Sequence, residues 1–84
     1  MTSLVLVEDN KDLREALNIA FSQYDSEFSF LKAFSDAESA LKEIPSLNPQ
    51  VVLMDINLPG LSGVECVRSL KQKQPELNVI MLTV

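Results

Sequence analysis

Acidic side chains follow two apolar segments of this sequence, at the point where each segment ends. Glu8 and Asp9 come directly after residues 4–7, and Asp55 comes directly after residues 51–54. If both segments are parallel strands of one sheet, their carboxyl ends meet at one edge and the three carboxylates share a crevice. Carboxylates placed in this way repel one another, so they either take up protons or hold a cation. An all-oxygen site of this kind suits Mg²⁺, and a carboxylate beside the metal can accept a phosphoryl group.

The composition excludes several classes of function. The chain has 84 residues, which is enough for one small domain, and 46% of them are hydrophobic. A net charge of −5, with no cluster of basic residues, argues against nucleic acid and anionic membrane as partners. No apolar run is long enough to span a membrane, no signal peptide is recognisable, and the single cysteine fits a cytoplasmic location. The absence of histidine excludes imidazole bases and histidine-ligated zinc.

Apolar segments alternate with amphipathic segments along the chain, which predicts the order βαβαβαβ and a parallel sheet. The second predicted strand alternates apolar and polar residues only in part, which favours an edge position. Asn10 is the expected N-cap of the first helix, and residues 35–38 and 62–65 resemble capping boxes for the second and third. Pro45 and Pro49 are expected to bracket a loop. The predicted strands are residues 4–7, 28–33, 51–54 and 79–84, and the first predicted helix covers residues 11 to about 24.

The apolar stripe of each predicted helix is expected to lie in the hydrophobic core. Cys66 is expected to be a partly buried small hydrophobic residue, because its surroundings in the sequence contain neither a base nor a second cysteine. The stripes are Leu13, Ala16, Leu17, Ala20 and Phe21 in the first helix, Ala37, Ala40, Leu41 and Ile44 in the second, and Val64, Val67 and Leu70 in the third.

The loop after Asp55 contains a proline and two glycines, so it can fold tightly and offer backbone groups to a metal or a phosphate. Thr83 would end the neighbouring strand with a hydroxyl at the same edge. Each residue also has a plainer interpretation. Glu8 and Asp9 could form a solvated turn before a helix, Asp55 could initiate a turn, and Thr83 could be an ordinary strand residue. The joint placement of these residues favours a functional site.

Together these landmarks resemble the receiver domain of response regulators from bacterial two-component signalling, over essentially all 84 residues. The landmarks are the acidic pair, Asp55 at the end of the third strand, Pro59-Gly60 after it, and Thr83 at the end of the fourth strand. Residues 54–60 most resemble receivers that precede helix-turn-helix output domains. The resemblance implies a flavodoxin-like, doubly wound α/β fold and a role in transcription regulation. It also implies a phosphorylatable switch rather than a turnover enzyme.

The resemblance also implies a role for each landmark. Asp55 would accept a phosphoryl group from a histidine kinase or a phosphotransfer protein. Glu8, Asp9 and Asp55, with the backbone carbonyl of Asn57, would hold Mg²⁺. Thr83 would sense the arrival of the phosphoryl group.

Receivers of this family have five strands and five helices, so the resemblance implies an incomplete domain over residues 1–84, with strand order 2-1-3-4. The family's fifth-strand lysine, which pairs with the phosphoryl group, has no counterpart in these residues. Lys71 and Lys73 are expected at the opposite edge, whereas Lys11 and Arg14 lie near the acidic one. Loss of a charge-assisted contact of about 2–4 kcal/mol would make phosphorylation slow. An open fourth strand is expected to promote homo-oligomer formation.

Three other functions stay open. The first is a fragment that no longer signals and acts only as a self-associating half-fold. The second is an aspartate-nucleophile phosphohydrolase, which is disfavoured because Asn57 stands where such enzymes place a general acid. The third is a flavin-binding module, although no phosphate-binding loop rich in Ser, Thr and Gly follows the first strand.

Overall fold

The computed structural model describes residues 2–24, 26–58 and 60–82, which form a four-stranded parallel sheet with three helices. The second strand along the chain lies at one edge beside the first, followed by the third and the fourth, so the predicted order 2-1-3-4 and the edge position of the second strand are confirmed. Pro59, Thr83 and Val84 lie outside the described residues. None of the helices within those ranges has both the length and the apolar character needed to cross a membrane. The elements are β1 (Thr2–Val7), α1 (Lys11–Ser22), β2 (Phe28–Phe34), α2 (Ala37–Leu47), β3 (Val51–Asp55), α3 (Gly63–Lys73) and β4 (Asn78–Leu82).

The two faces of the sheet bury different sets of side chains, because successive residues of a strand point to opposite faces. Val5 and Val7 of β1 belong to the larger core, which α2 and α3 cover. Leu4 and Leu6 belong to a smaller core on the face that α1 covers. Within the described ranges, two helices therefore cover one face and a single helix covers the other.

Helix α1 contributes no fully buried residue, although its start at Asn10 is as predicted. Leu17 and Phe21 are half-buried and pack on the smaller core, where the Phe21 ring lies 5.6 Å from that of Phe28 and 6.1 Å from that of Phe30. Ala16 and Ala20 are exposed, so the prediction that they lie in the core is wrong. The reason is that no second helix among the described residues packs beside α1 on this face.

Helix α2 begins and ends differently from the prediction. Its N-cap is Asp36 and not Ser35, since Asp36 Oδ1 accepts a hydrogen bond from the Ser39 N–H at 2.7 Å. This hydrogen bond lowers the pKa of Asp36. Pro45 lies inside the helix, in its last turn, and not in the loop. The helix ends where Asn48 adopts φ 50°, a left-handed conformation that asparagine tolerates, and its N–H donates to the carbonyl of Ile44.

Helix α3 begins as predicted, because Ser62 Oγ accepts the Glu65 N–H at 3.2 Å. Cys66 is fully buried, more so than expected, whereas Val64 is 53% exposed and is not a core residue. Gly63 is buried against the end of β3, and its N–H donates to the carbonyl of Ile56 at 3.2 Å. A Cβ atom at this position would overlap the carbonyl oxygen of Asp55. The glycine therefore allows α3 to approach the residue that ends β3.

We expect Gly63→Ala to destabilise the fold by about 1–3 kcal/mol or more, because the added methyl group meets backbone atoms that cannot move aside easily. Urea unfolding measures this change as a difference in the free energy of unfolding. Val64→Ala is the matched control on the adjacent, exposed position, where a change within about 0.5 kcal/mol is expected. Helix propensity alone would make Gly63→Ala stabilising by about 1 kcal/mol, so an increase in stability would contradict the close approach.

Candidate functional site

The register between β1 and β3 brings the acidic residues together. Val7 pairs with Met54, so Glu8 and Asp9 leave β1 beside Asp55 at the carboxyl edge of the sheet. One carboxylate oxygen from each of the three residues lies within 4.8 Å of those of the other two. Glu8 is 2% exposed and Asp55 is 5% exposed, whereas Asp9 is open to solvent. The crevice expected from the sequence therefore exists, with two buried carboxylates and one exposed carboxylate.

Glu8 is held in place from both sides of the strand end. Its N–H donates to the carbonyl of Phe34 on β2 at 2.9 Å, and its Oε2 accepts the N–H of Asn10 at 3.0 Å. Its other oxygen, Oε1, is buried and accepts no hydrogen bond from the described residues. Burial raises the pKa of Glu8, and the neighbouring Asp55 raises it further, against the Asn10 N–H, which lowers it. Glu8 is thus a buried carboxyl group that favours either a proton or a cation.

Asp55 is oriented by the turn that follows it. Its Oδ1 accepts the N–H of Asn57 at 3.0 Å, and the N–H of Ile56 donates to the carbonyl of Leu82 on β4 at 3.3 Å. Asn57 therefore lies directly beside the acidic cluster, and its role as a carbonyl ligand stays a prediction. Thr83, the other predicted site residue at this edge, is outside the described part of the chain.

The basic residues are distributed as the sequence suggested. Arg14 reaches back from α1, and its Nη1 donates to the carbonyl oxygens of Glu8 at 2.9 Å and Asp9 at 3.3 Å. Lys71 and Lys73 lie in the last turn of α3, where Lys71 donates to the carbonyl of Pro75, away from the acidic edge. Arg14 is therefore in hydrogen-bond contact with the turn that carries two of the acids.

A contact between α2 and the loop after β3 was not predicted from the sequence. Glu38, in the first turn of α2, accepts the N–H of Leu61 at 3.4 Å through its Oε1. The same oxygen lies close to Gly60, whose φ of 74° favours glycine. Glu38 thus ties α2 to the loop between β3 and α3. The capping-box pattern assigned this side chain to its own helix, and no local signal indicated the partner.

The donor set fits a hard divalent cation. All three side chains offer carboxylate oxygens, which Mg²⁺ prefers over nitrogen or sulfur ligands. The buried Oε1 of Glu8 has no hydrogen-bond donor among the described residues, and a cation would satisfy it. Binding would also offset the repulsion between Glu8 and Asp55, which contributes to the raised pKa of Glu8.

The sequence matches that of the response regulator receiver domain family over residues 4–84. It is 33% identical over 81 residues to the transcriptional regulatory protein DegU of Brevibacillus brevis, covering 96% of this chain and 34% of that protein. It is 35% identical over 83 residues to the response regulator GacA of Pseudomonas aeruginosa, covering 95% of this chain and 37% of that protein. The chain thus spans about a third of the length of these curated relatives.

Solved structures share the fold. The signal receiver domain of a modulated diguanylate cyclase from Desulfovibrio desulfuricans G20 superposes with a TM-score of 0.89 at 29% identity, covering all of this chain and 66% of that one. The response regulator domain of Thermotoga maritima CheB gives a TM-score of 0.84 at 28% identity, covering 96% of this chain and 59% of that one.

We expect Glu8→Gln to raise the melting temperature of the metal-free protein at neutral pH. The variant removes a buried negative charge and keeps an acceptor for the Asn10 N–H. Since the folded-state pKa of Glu8 is raised, the wild type loses stability as the pH rises from the unfolded-state pKa of about 4.3 through the folded-state value. Each kcal/mol relieved corresponds to about 4–8 °C in a domain of this size.

Thermal unfolding followed by circular dichroism between pH 4 and pH 8 measures this difference. Glu15→Gln, an exposed position on α1, is the control and should follow the wild-type pH dependence. Identical pH profiles for Glu8→Gln and the wild type would contradict the conclusion that the buried Glu8 carboxylate destabilises the metal-free protein.

Proposed function

Because the chain belongs to the family of response regulator receiver domains, we propose that Asp55 is the phosphoacceptor of a two-component signalling protein. The observation that carries the proposal is the cluster of Glu8, Asp9 and Asp55 at the carboxyl ends of β1 and β3. The donor is a histidine kinase or a phosphotransfer protein. The module is a switch rather than a turnover enzyme, because the phosphoryl group stays on the protein as the signal.

The geometry suits an aspartate nucleophile. An Asp55 oxygen forms the bond to phosphorus while the P–N bond of the phosphohistidine breaks, and the imidazole leaves with the electron pair and is protonated by solvent. The Asn57 N–H holds Oδ1 of Asp55, so the carboxylate is presented in one orientation. Mg²⁺, held by Glu8, Asp9, Asp55 and the carbonyl of Asn57, would neutralise the charge that gathers on the phosphoryl oxygens. Thr83 is the proposed sensor of the phosphoryl group.

The names of the relatives support a role in transcription regulation. DegU is named as a transcriptional regulatory protein, and GacA as a response regulator. We therefore propose transcription regulation as the pathway output, with no nucleic-acid contact by this acidic segment, whose net charge is −5. A cytoplasmic location is part of the proposal and is supported by the free, buried thiol of Cys66.

Incubation with acetyl phosphate and Mg²⁺ should add one phosphoryl group to Asp55, as measured by intact-protein mass spectrometry and peptide mapping. Labelling is expected to be about 10²–10³-fold slower than that of a receiver with the fifth-strand lysine, since among the described residues no lysine donates a hydrogen bond to the Asp55 carboxylate. Asp55→Asn should abolish labelling.

Asp9→Ala should abolish Mg²⁺ binding in a calorimetric titration and slow labelling to the metal-free rate, because two carboxylates make a poor octahedral site. Equal labelling of the wild type and Asp55→Asn would overturn the proposal. Equal Mg²⁺ affinity in the wild type and Asp9→Ala would overturn the metal assignment.

We propose self-association through β4 as a second property of this chain. Among the described residues β4 pairs only with β3, and the Ile80 side chain of β4 is 53% exposed. The opposite edge is better protected: β2 carries a bulge at Leu31, which disrupts the flat ladder that another strand would need. The occupant proposed for the β4 edge is a second copy, paired antiparallel about a two-fold axis. If Asp55 were not phosphorylated, this association would remain as the alternative, purely structural role.

Ile80→Lys should shift the chain from dimer to monomer in sedimentation-equilibrium experiments, because a charge at the β4 edge opposes pairing with a like charge from the second copy. Leu31→Lys, which adds the same charge on the protected β2 edge, is the control and should remain dimeric. Circular dichroism verifies that both variants are folded. A folded wild-type monomer at high concentration in light scattering would refute the self-association.

A further inference from the structure

We propose that Arg14 is a positioning residue for the acidic cluster: it holds the backbone of the Glu8-Asp9 turn in the shape that directs both carboxylates toward Asp55. The proposal rests on the function proposed above for this cluster. It concerns the backbone carbonyls of the turn, which no part of the metal or phosphoacceptor assignment uses.

Arg14 reaches the turn from a helix whose start is itself fixed. Asn10 caps α1 through its Oδ1, which accepts the Leu13 N–H at 3.0 Å, and its carbonyl accepts the Arg14 N–H at 2.9 Å. Arg14 is half-buried, and its side chain points back toward Glu8 and Asp9. Its Nη1 donates to the carbonyl oxygens of these two residues, at 2.9 and 3.3 Å. The Arg14 side chain therefore connects the second turn of α1 to the residues that follow β1.

Asp9 depends on this contact more than Glu8 does. Glu8 has two further restraints, from the carbonyl of Phe34 and the N–H of Asn10. Asp9 is exposed, and Arg14 is the only residue among those described whose side chain donates a hydrogen bond to it. Loss of Arg14 would thus remove one restraint from the turn as a whole and a larger share of the restraint on Asp9 than of that on Glu8.

The choice of acceptors separates Arg14 from an ordinary ion-pair partner. An arginine beside three carboxylates would commonly form a bidentate pair with one of them. Within the described ranges the ion pair that forms is Lys32–Glu43, on the surface, and Arg14 donates to carbonyl oxygens instead. Its cation lies near the acids without occupying their oxygens, which stay available to a divalent ion.

The test compares Mg²⁺ dissociation constants of the full 84-residue chain by calorimetric titration. Arg14→Gln should weaken binding about tenfold, within the range found when supporting hydrogen bonds of metal ligands are removed. Lys11→Gln removes the same charge from an exposed position in the preceding turn of α1 and should change affinity less than about twofold. Arg14→Lys should recover part of the loss, because an ammonium group can reach one carbonyl but lacks the planar fork.

Two further readouts separate positioning from general stabilisation. The metal-free melting temperature of Arg14→Lys should match that of the wild type while its Mg²⁺ affinity is lower, a split that a purely structural role does not produce. Affinity in folded Arg14→Gln and Arg14→Lys equal to that of Lys11→Gln would overturn the role of Arg14 and leave the metal site intact. Absence of Mg²⁺ binding in the wild type would overturn the metal site and, with it, the role of Arg14.

Discussion

The pairing of Val7 with Met54 across β1 and β3 is the constraint on which the acidic site depends. A slip of one residue would turn every side chain of a strand to the other face, so the register is fixed by what each face buries. Burial of each Leu, Val or Met side chain contributes about 1.5–3 kcal/mol, whereas two carboxylates 4 Å apart repel by about 4 kcal/mol at an effective dielectric of 20. The two apolar cores together outweigh that repulsion. The hydrophobic residues therefore hold the charged ones together.

The two cores differ in size, and among the described residues the face with the larger core is covered by more helices. Helices α2 and α3 enclose the larger core, and Gly63 allows α3 to lie directly against the end of β3. Of the helices that the structure describes, only α1 covers the other face, and it buries no residue completely. The N-terminal part of α1 contributes to the site instead, because Asn10 and Arg14 form hydrogen bonds with the turn after β1. For this reason α1 matters more for the geometry of the site than for the size of the core.

The sequence predicted the parts of the fold that follow from local patterns. Apolar runs and helical periodicity indicated the seven elements found in the described residues, and strand ends followed by acids indicated the cluster of Glu8, Asp9 and Asp55. The errors arose where local patterns compete: Asp36 replaced Ser35 as N-cap, and Pro45 was accommodated in the last turn of α2. Exposure of Ala16, Ala20 and Val64 depends on which neighbouring helices exist, which periodicity does not report. Arg14 was expected near the acidic edge, but not its carbonyl acceptors. The contacts of Glu38 with Leu61 and of Gly63 with Asp55 are tertiary, so no spacing rule identified them.

The rest of the domain buries mainly apolar side chains, whereas the site buries carboxyl groups. Glu8 is buried, its pKa is raised, and one of its oxygens has no hydrogen-bond donor among the described residues. The guanidinium of Arg14 does not neutralise this charge, because it binds backbone carbonyls. Asn10 donates one N–H to Glu8, and Asn57 donates one to Asp55. Among the described residues, Glu8 and Asp55 are thus each oriented by one N–H on a single carboxylate oxygen, and their other oxygens accept no hydrogen bond. The burial of Glu8 and its repulsion by Asp55 are unfavourable in the metal-free domain and become favourable when a cation shares their oxygens, so the same carboxylates that reduce local stability prepare the site for binding.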